Sequence, residues 1–472
     1  MSDLTDSKGS PTPRGIRFRF SIRFLLLATV LIAVILVLSI NRARECQKEM
    51  AIIKELRVAG LRIERLPPTT FEKILGERFS KQSWKAYVDH DKTELLEQLS
   101  KLEKVKSIHA QGGELRNLSA FSKFENLEVL TLNDAWKVEI LDGIENLQNL
   151  RSFELADACR VKTAKPLASL KTLEELSFFN QDGDTCSFED LDEVLHEMPG
   201  LKSFVAYECP VRSLDAFENC KNLEHLELWL DAAGITSLEG LVGLPRLQKL
   251  DLSDSAEIED WSAMGSLTEL TDLRIASCGA SSLDFLSKLQ KLKTLELRLS
   301  YELLTRDGKT LGEALEPMLL PQLEKLKISS RELAALDEQF SLERFSQLQE
   351  LTIFRDGYQL KIEELQAFIA DPDNHEFAER PPTLPLCQLK KILSLRTLYI
   401  EGVNRLTSLD GIESLDSLKQ VRLRSCDELS DIKTLKQLVS LDEIEFVFCK
   451  KIPQQQISNL KAALPNTKID VR

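Results

Sequence analysis

Aromatic side chains make up only 6% of this 472-residue sequence, and histidine occurs five times. With so few rings, a core of this size has to be filled mostly by aliphatic residues. With so few imidazoles, metal sites and acid–base dyads have little to draw on. His90, His109, His196, His225 and His375 are scattered, form no HExxH and lie near no cysteine pair. The nine cysteines include no CxxC, and no GxSxG elbow, GxxxxGK(S/T) loop or GxGxxG turn occurs. No catalytic residue, no metal and no small-molecule cofactor is therefore expected, and the protein is not expected to be an enzyme. Basic charge is short as well: 61 Lys and Arg stand against 75 Asp and Glu, a net charge of -14. The first 45 residues hold seven basic and three acidic residues, which is +4 and leaves -18 on the remainder. Phosphate binding needs a basic footprint, so no nucleic-acid partner is expected.

What is present begins with residues 24–40, FLLLATVLIAVILVLSI, a run of 17 residues without a charge. At about 1.5 Å per residue it spans about 25 Å as a helix, enough to cross a bilayer with Arg23, Arg42 and Arg44 snorkelling at its ends. A cleavable signal peptide is the alternative, because Arg14, Arg17, Arg19 and Arg23 form a basic leader. Against it, the run exceeds the usual apolar core of about 7 to 15 residues, and Asn41-Arg42-Ala43 lacks the small residues of a cleavage site. Cys46 follows Arg44 and Glu45, which does not suit lipidation. The basic residues flanking the run nearly tie, with Arg42, Arg44, Lys48 and Lys54 on its far side. A short tail ahead of a signal-like helix stays in the cytoplasm, which places the large domain outside it. The expected organisation is a cytoplasmic basic tail (1–23), a transmembrane helix (24–40), a juxtamembrane segment and N-terminal cap (41–100) and a repeat domain (101–472).

The repeat is a segment Leu-x-x-Leu-x-Leu, with conservative swaps, that starts fourteen times between Val105 and Leu441. Nine of the thirteen spacings are 22 to 24 residues; the others are 28, 31, 25 and 47. Alternating apolar residues at the start of each unit predict a short strand with one buried face. Later leucines, three apart, predict a tight helical or 3-10 return, as in LDGIENL (141–147), LEGLVGL (238–244) and LDGIESL (409–415). One unit has too little apolar surface to offset the entropy of ordering itself, so units must stack and the ends need caps.

With this period the sequence resembles the leucine-rich-repeat superfamily over residues 100–472, with spacing most similar to the bacterial internalin-like class. The resemblance implies an α/β solenoid: a leucine-rich-repeat horseshoe with a parallel β-sheet on its concave face, here preceded by one transmembrane helix. The anchor and the segments CQKEMAIIKELRVAGLRIE (46–64) and FEKILGERFSKQSWKAYVDH (71–90) are similar to the opening of membrane-bound repeat proteins common in planctomycetes. That likeness implies a cap ahead of the first full repeat. No sortase-type signal or immunoglobulin-like segment is recognisable, so host-cell invasion is not implied.

The longer units predict local elaborations: a convex helix around residues 188–196, another in 301–320, and a helix at 362–370 followed by the polar loop 371–385. The last strand is expected at residues 469–471. Cys209, Cys278, Cys426 and Cys449 each fall eight residues after the first leucine of a unit, and Cys159 nine after. This is the Asn/Cys place of the family pattern, so reduced thiols packed inside the turn are expected. Cys186, Cys220 and Cys387 fit no recognisable spacing.

The third, fifth and seventh residues of each unit should point onto the open sheet face. Seventh places in three consecutive units hold Phe179, Tyr207 and Trp229, and fifth places supply Glu154, Glu227 and Asp251. An aromatic strip with an acidic rim is the candidate ligand-binding patch, suited to a cationic or hydroxyl-rich partner. Farther along, Arg274, Arg298, Lys327, Arg422 and Arg424 lead to the expectation that the face turns positive toward the C-terminus. The expected function is non-catalytic recognition of a protein or glycan at the cell envelope by a single-pass membrane protein. A structural envelope scaffold is the alternative, and an enzyme with an unrecognised site is the third reading.

Overall fold

The computed structural model describes residues 22–68, 82–180, 188–208, 211–229, 235–253, 258, 260–278, 283–299, 320–329, 345–355, 386–403 and 405–472. The apolar run lies at the start of helix α1 (Ile22–Val58), 37 residues long. Its apolar part is exposed, and by length and composition it is able to cross a membrane; a signal sequence near an N-terminus passes the same test. The helix does not end where the apolar run ends. Its last turns bury Ile53 and Leu56 in the solenoid core, and the Arg57 guanidinium donates to the Ile63 carbonyl at 2.8 Å.

After a turn at Gly60 come β1 (Arg62–Arg65) and β2 (Trp84–Val88), then β3 (Val105–Gln111), β4 (Val129–Asn133), β5 (Ser152–Ala156), β6 (Glu175–Phe179), β7 (Ser203–Tyr207), β8 (His225–Trp229) and β9 (Lys249–Ser253). The series continues with β10 (Asp272–Cys278), β11 (Thr294–Leu299), β12 (Lys325–Ser329), β13 (Glu350–Phe354), β14 (Thr397–Glu401), β15 (Gln420–Arg424), β16 (Glu443–Val447) and β17 (Lys468–Val471). Each strand pairs with the next in the chain, β1 antiparallel to β2 and every later pair parallel, giving one 17-stranded sheet. This is the leucine-rich-repeat solenoid, with the sheet on its concave face. The cap holds one more parallel strand, β2, than the leucine period marks. At the other end β17 closes the sheet where the last strand is expected.

Within a coil the alternation sorts every side chain. In β8, Leu226 and Leu228 are buried while His225, Glu227 and Trp229 face outward. The chain then leaves the sheet through the left-handed region. Asp134, Asp157, Glu208, Gly402, Ser425 and Phe448 all hold the eighth place of their units, with φ between 52° and 69°. That turn directs the ninth side chain inward, and the ninth places of Ala135, Ala158 and Cys426 are fully buried. The convex side is made of short 3-10 segments such as Ile144–Asn146 and Asp284–Lys288, with α-helices where units are longer. Among the described residues the α-helices that follow α1 are α2 (Leu96–Leu99) in the cap, α3 (Leu191–His196) and α4 (Gln454–Ala463); α3 falls within the expected 188–196. The elements expected in 301–320 and 362–370, and the loop 371–385, lie outside the described residues apart from Leu320.

Polar side chains tie each coil to the one before it. Asn126, Asn149 and Asn222 donate from Nδ2 to the carbonyls of Glu103, Glu125 and Pro199 at 2.8, 2.8 and 3.0 Å. They satisfy backbone acceptors that the strand ladder cannot reach. Two glycines mark where adjacent returns nearly touch. Gly143, at φ 105°, would place a Cβ 2.5 Å from the Ser119 Cα, and Gly240 would place one 2.1 Å from the Leu214 carbonyl carbon. Gly240→Ala should therefore force the coils apart and destabilise by about 1 to 3 kcal/mol, seen as a lower thermal midpoint in detergent. Gly200→Ala, where the nearest atom is 3.6 Å away, should stay within about 0.5 kcal/mol of the parent.

Candidate functional site

Parallel register carries the seventh places of neighbouring units side by side. Tyr207 faces Trp229 across β7 and β8, with ring centroids 4.5 Å apart and nearly parallel planes. Phe179 meets Tyr207 edge-on at 5.0 Å. The three rings thus form one partly exposed strip across β6, β7 and β8. The Tyr207 hydroxyl donates to Glu227 at 2.5 Å, and the His225 Nε2 lies 3.5 Å from the same carboxylate. Burial, followed by the Glu227 contact, raises the Tyr207 pKa, and the hydrogen bond from His225 holds Glu227 below the ordinary carboxylate range in spite of its burial.

The other two rim carboxylates differ from each other. Asp251 accepts from Arg274 at 2.9 Å and from the Ser253 hydroxyl at 2.8 Å; burial pushes its carboxyl up while Arg274 pulls it down. Arg274 also stands over the Trp229 ring at 5.3 Å and so closes that end of the strip. Among the described residues nothing compensates Glu154 in this way, and burial pushes its carboxyl up. A carboxylate raised in this way destabilises the fold above its folded pKa, and the penalty disappears as pH falls below its unfolded value.

Toward the C-terminus the structure corrects the expected change of sign. Arg274, Arg298 and Lys327 converge on Glu296, at 3.2, 2.9 and 3.5 Å. Glu296 occupies the fifth place of the unit that carries β11 and is only 6% exposed. Arg422 lies near Glu443 and Glu445 at 3.7 and 3.8 Å, and Arg424 near Glu401 at 3.6 Å. The basic residues are neutralised within the sheet. From Asp251 onward the fifth row alternates in sign, Asp251, Arg274, Glu296, Lys327, so that each cation stands about 4.8 Å across from an acid on a neighbouring strand, whereas Glu227 and Asp251 stand side by side as like charges. That alternation is the signal in the sequence that would have found Glu296.

The thiols sit as structural groups. Cys426 donates to the carbonyls of Ile400 and Arg424 at 3.7 and 3.5 Å, and Cys449 to those of Leu423 and Val447 at 3.4 and 3.6 Å. The two meet on consecutive coils, and the contact with Cys449, together with burial, raises Cys426. Cys449 is only half-buried, so it is less shielded than expected. Cys220 takes the place three residues before a unit's first leucine, filled by Leu147, Leu170 and Leu244 elsewhere, and burial pushes its thiol up to about 12. Cys186, Cys209 and the side chains of Cys278 and Cys387 lie outside the described residues. Two surface hollows, of about 370 and 360 Å³, are lined by residues such as Gln349, Arg396 and Lys419 or Glu103, Lys104 and Phe124, and neither includes the ring strip.

No family model matches the sequence. Among solved structures the chain is similar to an internalin (InlF) from Listeria monocytogenes, at 16% identity over 79% of this chain and 88% of that one, with a TM-score of 0.44. It is also similar to a leucine-rich-repeat protein of Leptospira interrogans, at 15% identity over 79% and 86% with a TM-score of 0.34. The functional domain of InlJ from Listeria monocytogenes, described as including a cysteine ladder, gives 16% identity over 75% and 69% and a TM-score of 0.44. These likenesses concern the fold alone, and the fold is read from this chain's own strands and turns.

Removing Glu296 would leave three cations facing one another. Glu296→Ala should destabilise by about 2 to 3 kcal/mol, read as a lower thermal midpoint. Glu269→Ala, which breaks the exposed pair with Lys291, should change stability by less than about 1 kcal/mol.

Proposed function

We propose that the protein is a non-catalytic binding module, anchored in a membrane by α1, that recognises a protein or glycan of the cell envelope on its concave face. The observation that carries this reading is the strip of Phe179, Tyr207 and Trp229, three rings in contact on three adjacent strands. Aromatic residues are rare in the chain, and a partly exposed run of them is the composition of a binding hot spot. Because the rings pack on one another and Tyr207 is tethered to Glu227, little rotamer freedom remains to be lost on binding. Glu154, Glu227 and Asp251 make the rim, of which Glu227 and Asp251 already hold partners within the sheet. The repeat domain stands on the extracytoplasmic side, with residues 1–23 in the cytoplasm. The exposed apolar surface of α1 supports an anchor, since a soluble protein rarely leaves so long an apolar helix uncovered.

Replacing Phe179, Tyr207 and Trp229 together by alanine should lower the thermal midpoint, since the rings pack on one another and Tyr207 holds Glu227, yet leave the protein folded at the assay temperature and abolish capture of the partner cross-linked to the parent protein in intact envelopes. Unimpaired capture would overturn the patch. Protease added to intact spheroplasts should digest the repeat domain; full protection would overturn the topology, and a mature N-terminus near residue 44 would overturn the anchor.

A further inference from the structure

Rings on this molecule repeatedly carry a cation that a carboxylate holds in place. Arg62 lies over Tyr87 at 4.6 Å and donates to Glu64 at 2.8 Å. Lys137 lies over Trp136 at 4.5 Å and pairs with Glu114 at 2.8 Å. Arg274 joins Trp229 to Asp251, and Arg298, 4.1 Å over Phe354, pairs with Glu296. The ring face attracts the cation, the carboxylate fixes it, and partial burial strengthens both terms.

Phe179 and Glu154 repeat the ring and carboxylate of the Trp229 group in mirror order. Trp229 holds the seventh place of the unit that carries β8 and Asp251 the fifth of the unit that carries β9; Phe179 holds the seventh place of the β6 unit and Glu154 the fifth of the β5 unit. In both pairs the two residues stand on neighbouring strands, two places out of step, which is about 8 Å between Cα atoms. Tyr207 covers one side of Phe179, and the residue opposite its other side is the small Ala156. Arg274 reaches its ring from β10, the strand beyond the carboxylate. The mirrored place on β4 is Thr131, short and uncharged. Among the described residues no Lys or Arg stands over Phe179 or pairs with Glu154, and desolvation is the cause acting on that carboxyl. The outward acids of the strip's own face are Glu154 on β5, Glu227 on β8 and Asp251 on β9; Glu227 and Asp251 already hold partners, which leaves Glu154 to draw a cation from outside the chain.

Resting on the concave-face reading, we propose that Glu154 and Phe179 seat the guanidinium of an arginine in a basic peptide segment of a protein partner. The planar guanidinium lies on the ring and turns its N–H edge to the carboxylate, a geometry that an ammonium matches less well. Glu154 then gains the compensation that Asp251 and Glu296 receive from within the chain.

The test uses the full chain in detergent at physiological salt and a fluorescein-labelled Arg-Gly-Ser repeat peptide, with its citrulline counterpart as an uncharged control. Anisotropy should show the arginine peptide binding about tenfold or more tighter than the citrulline peptide. Glu154→Gln should bring the two peptides level, whereas Glu269→Gln, an equal loss of charge elsewhere, should leave the preference intact. Equal binding of the two peptides, a preference that survives Glu154→Gln, or an equal loss in Glu269→Gln would overturn the proposal. Thr131→Arg supplies the cation from within: it should raise the thermal midpoint and block the arginine peptide, both effects disappearing when Glu154→Gln is added. A folded Thr131→Arg protein that still binds the peptide would also overturn it; should that variant not fold, Glu154→Gln alone decides. If the triple ring variant loses the cross-linked partner while Glu154→Gln keeps both that partner and the peptide preference, the strip stands and the arginine seat falls. If the ring variant keeps the partner, the concave-face reading itself has failed.

Discussion

Everything in this molecule depends on the fact that a coil of about two dozen residues cannot satisfy itself. A single unit leaves one whole strand edge unpaired and half of its leucines uncovered. Both defects are repaired by the same neighbour in the same register, because the backbone ladder and the leucine rows share one spacing. Once Leu226 lies beside Leu250 and Leu228 beside Leu252, Glu227 must lie beside Asp251 and Trp229 beside Ser253. The buried rows therefore dictate the outward rows, and the concave face is arranged by residues that never appear on it.

This dependence explains which features were legible in sequence. Leucines three and two apart reveal the strand, and their return every 22 to 24 residues reveals the stack. From the period alone one can place Phe179, Tyr207 and Trp229 side by side, and the rings are indeed in contact. What each rim carboxylate holds was not legible. Tyr207 bonds Glu227 from 20 residues away and Arg274 reaches Asp251 from 23, and nothing in a local window shows which cation goes to which acid. The expected positive half fails for that reason: the basic residues follow one another along the chain, while Glu296 collects them across it. Cys220 escaped notice because a thiol there acts as a short leucine, a role that only the alignment of units exposes.

The N-terminal region shows a different limit. An uncharged run marks a helix long enough for a bilayer, but its end in sequence is not its end in space. From Asn41 onward the helix carries charges, yet Ile53 and Leu56, three apart, fall on one face and sink into the solenoid. Hydropathy reports the solvent of a segment and says nothing about its rigidity. Because one helix carries both the apolar segment and the residues buried in the solenoid, the first coil is joined to the apolar segment by continuous backbone hydrogen bonds instead of a flexible linker. The direction in which α1 enters therefore also sets the direction in which the sheet begins.

The ring strip begins on one of the longer units, and the two facts are connected. The unit that begins at Leu173 is 28 residues long and returns through α3. A longer return has to be filled, and the filling is aromatic: Phe178 packs on Phe188 at 4.9 Å and on Phe204 at 6.1 Å, and Phe204 on Phe217 at 5.2 Å. Phe178 and Phe204 are the residues immediately before or near the outward Phe179 and Tyr207 on the same two strands. In a chain so poor in rings, large ones therefore occupy both faces of β6 and β7. Bulky, close-packed side chains beneath a strand leave it little freedom to tilt, and a strand that does not tilt holds its outward rings at fixed spacing. The enlarged core thus supplies a rigid platform under the strip, and the irregularity in the repeat and the aromatic contacts on both faces of β6 and β7 belong to one arrangement.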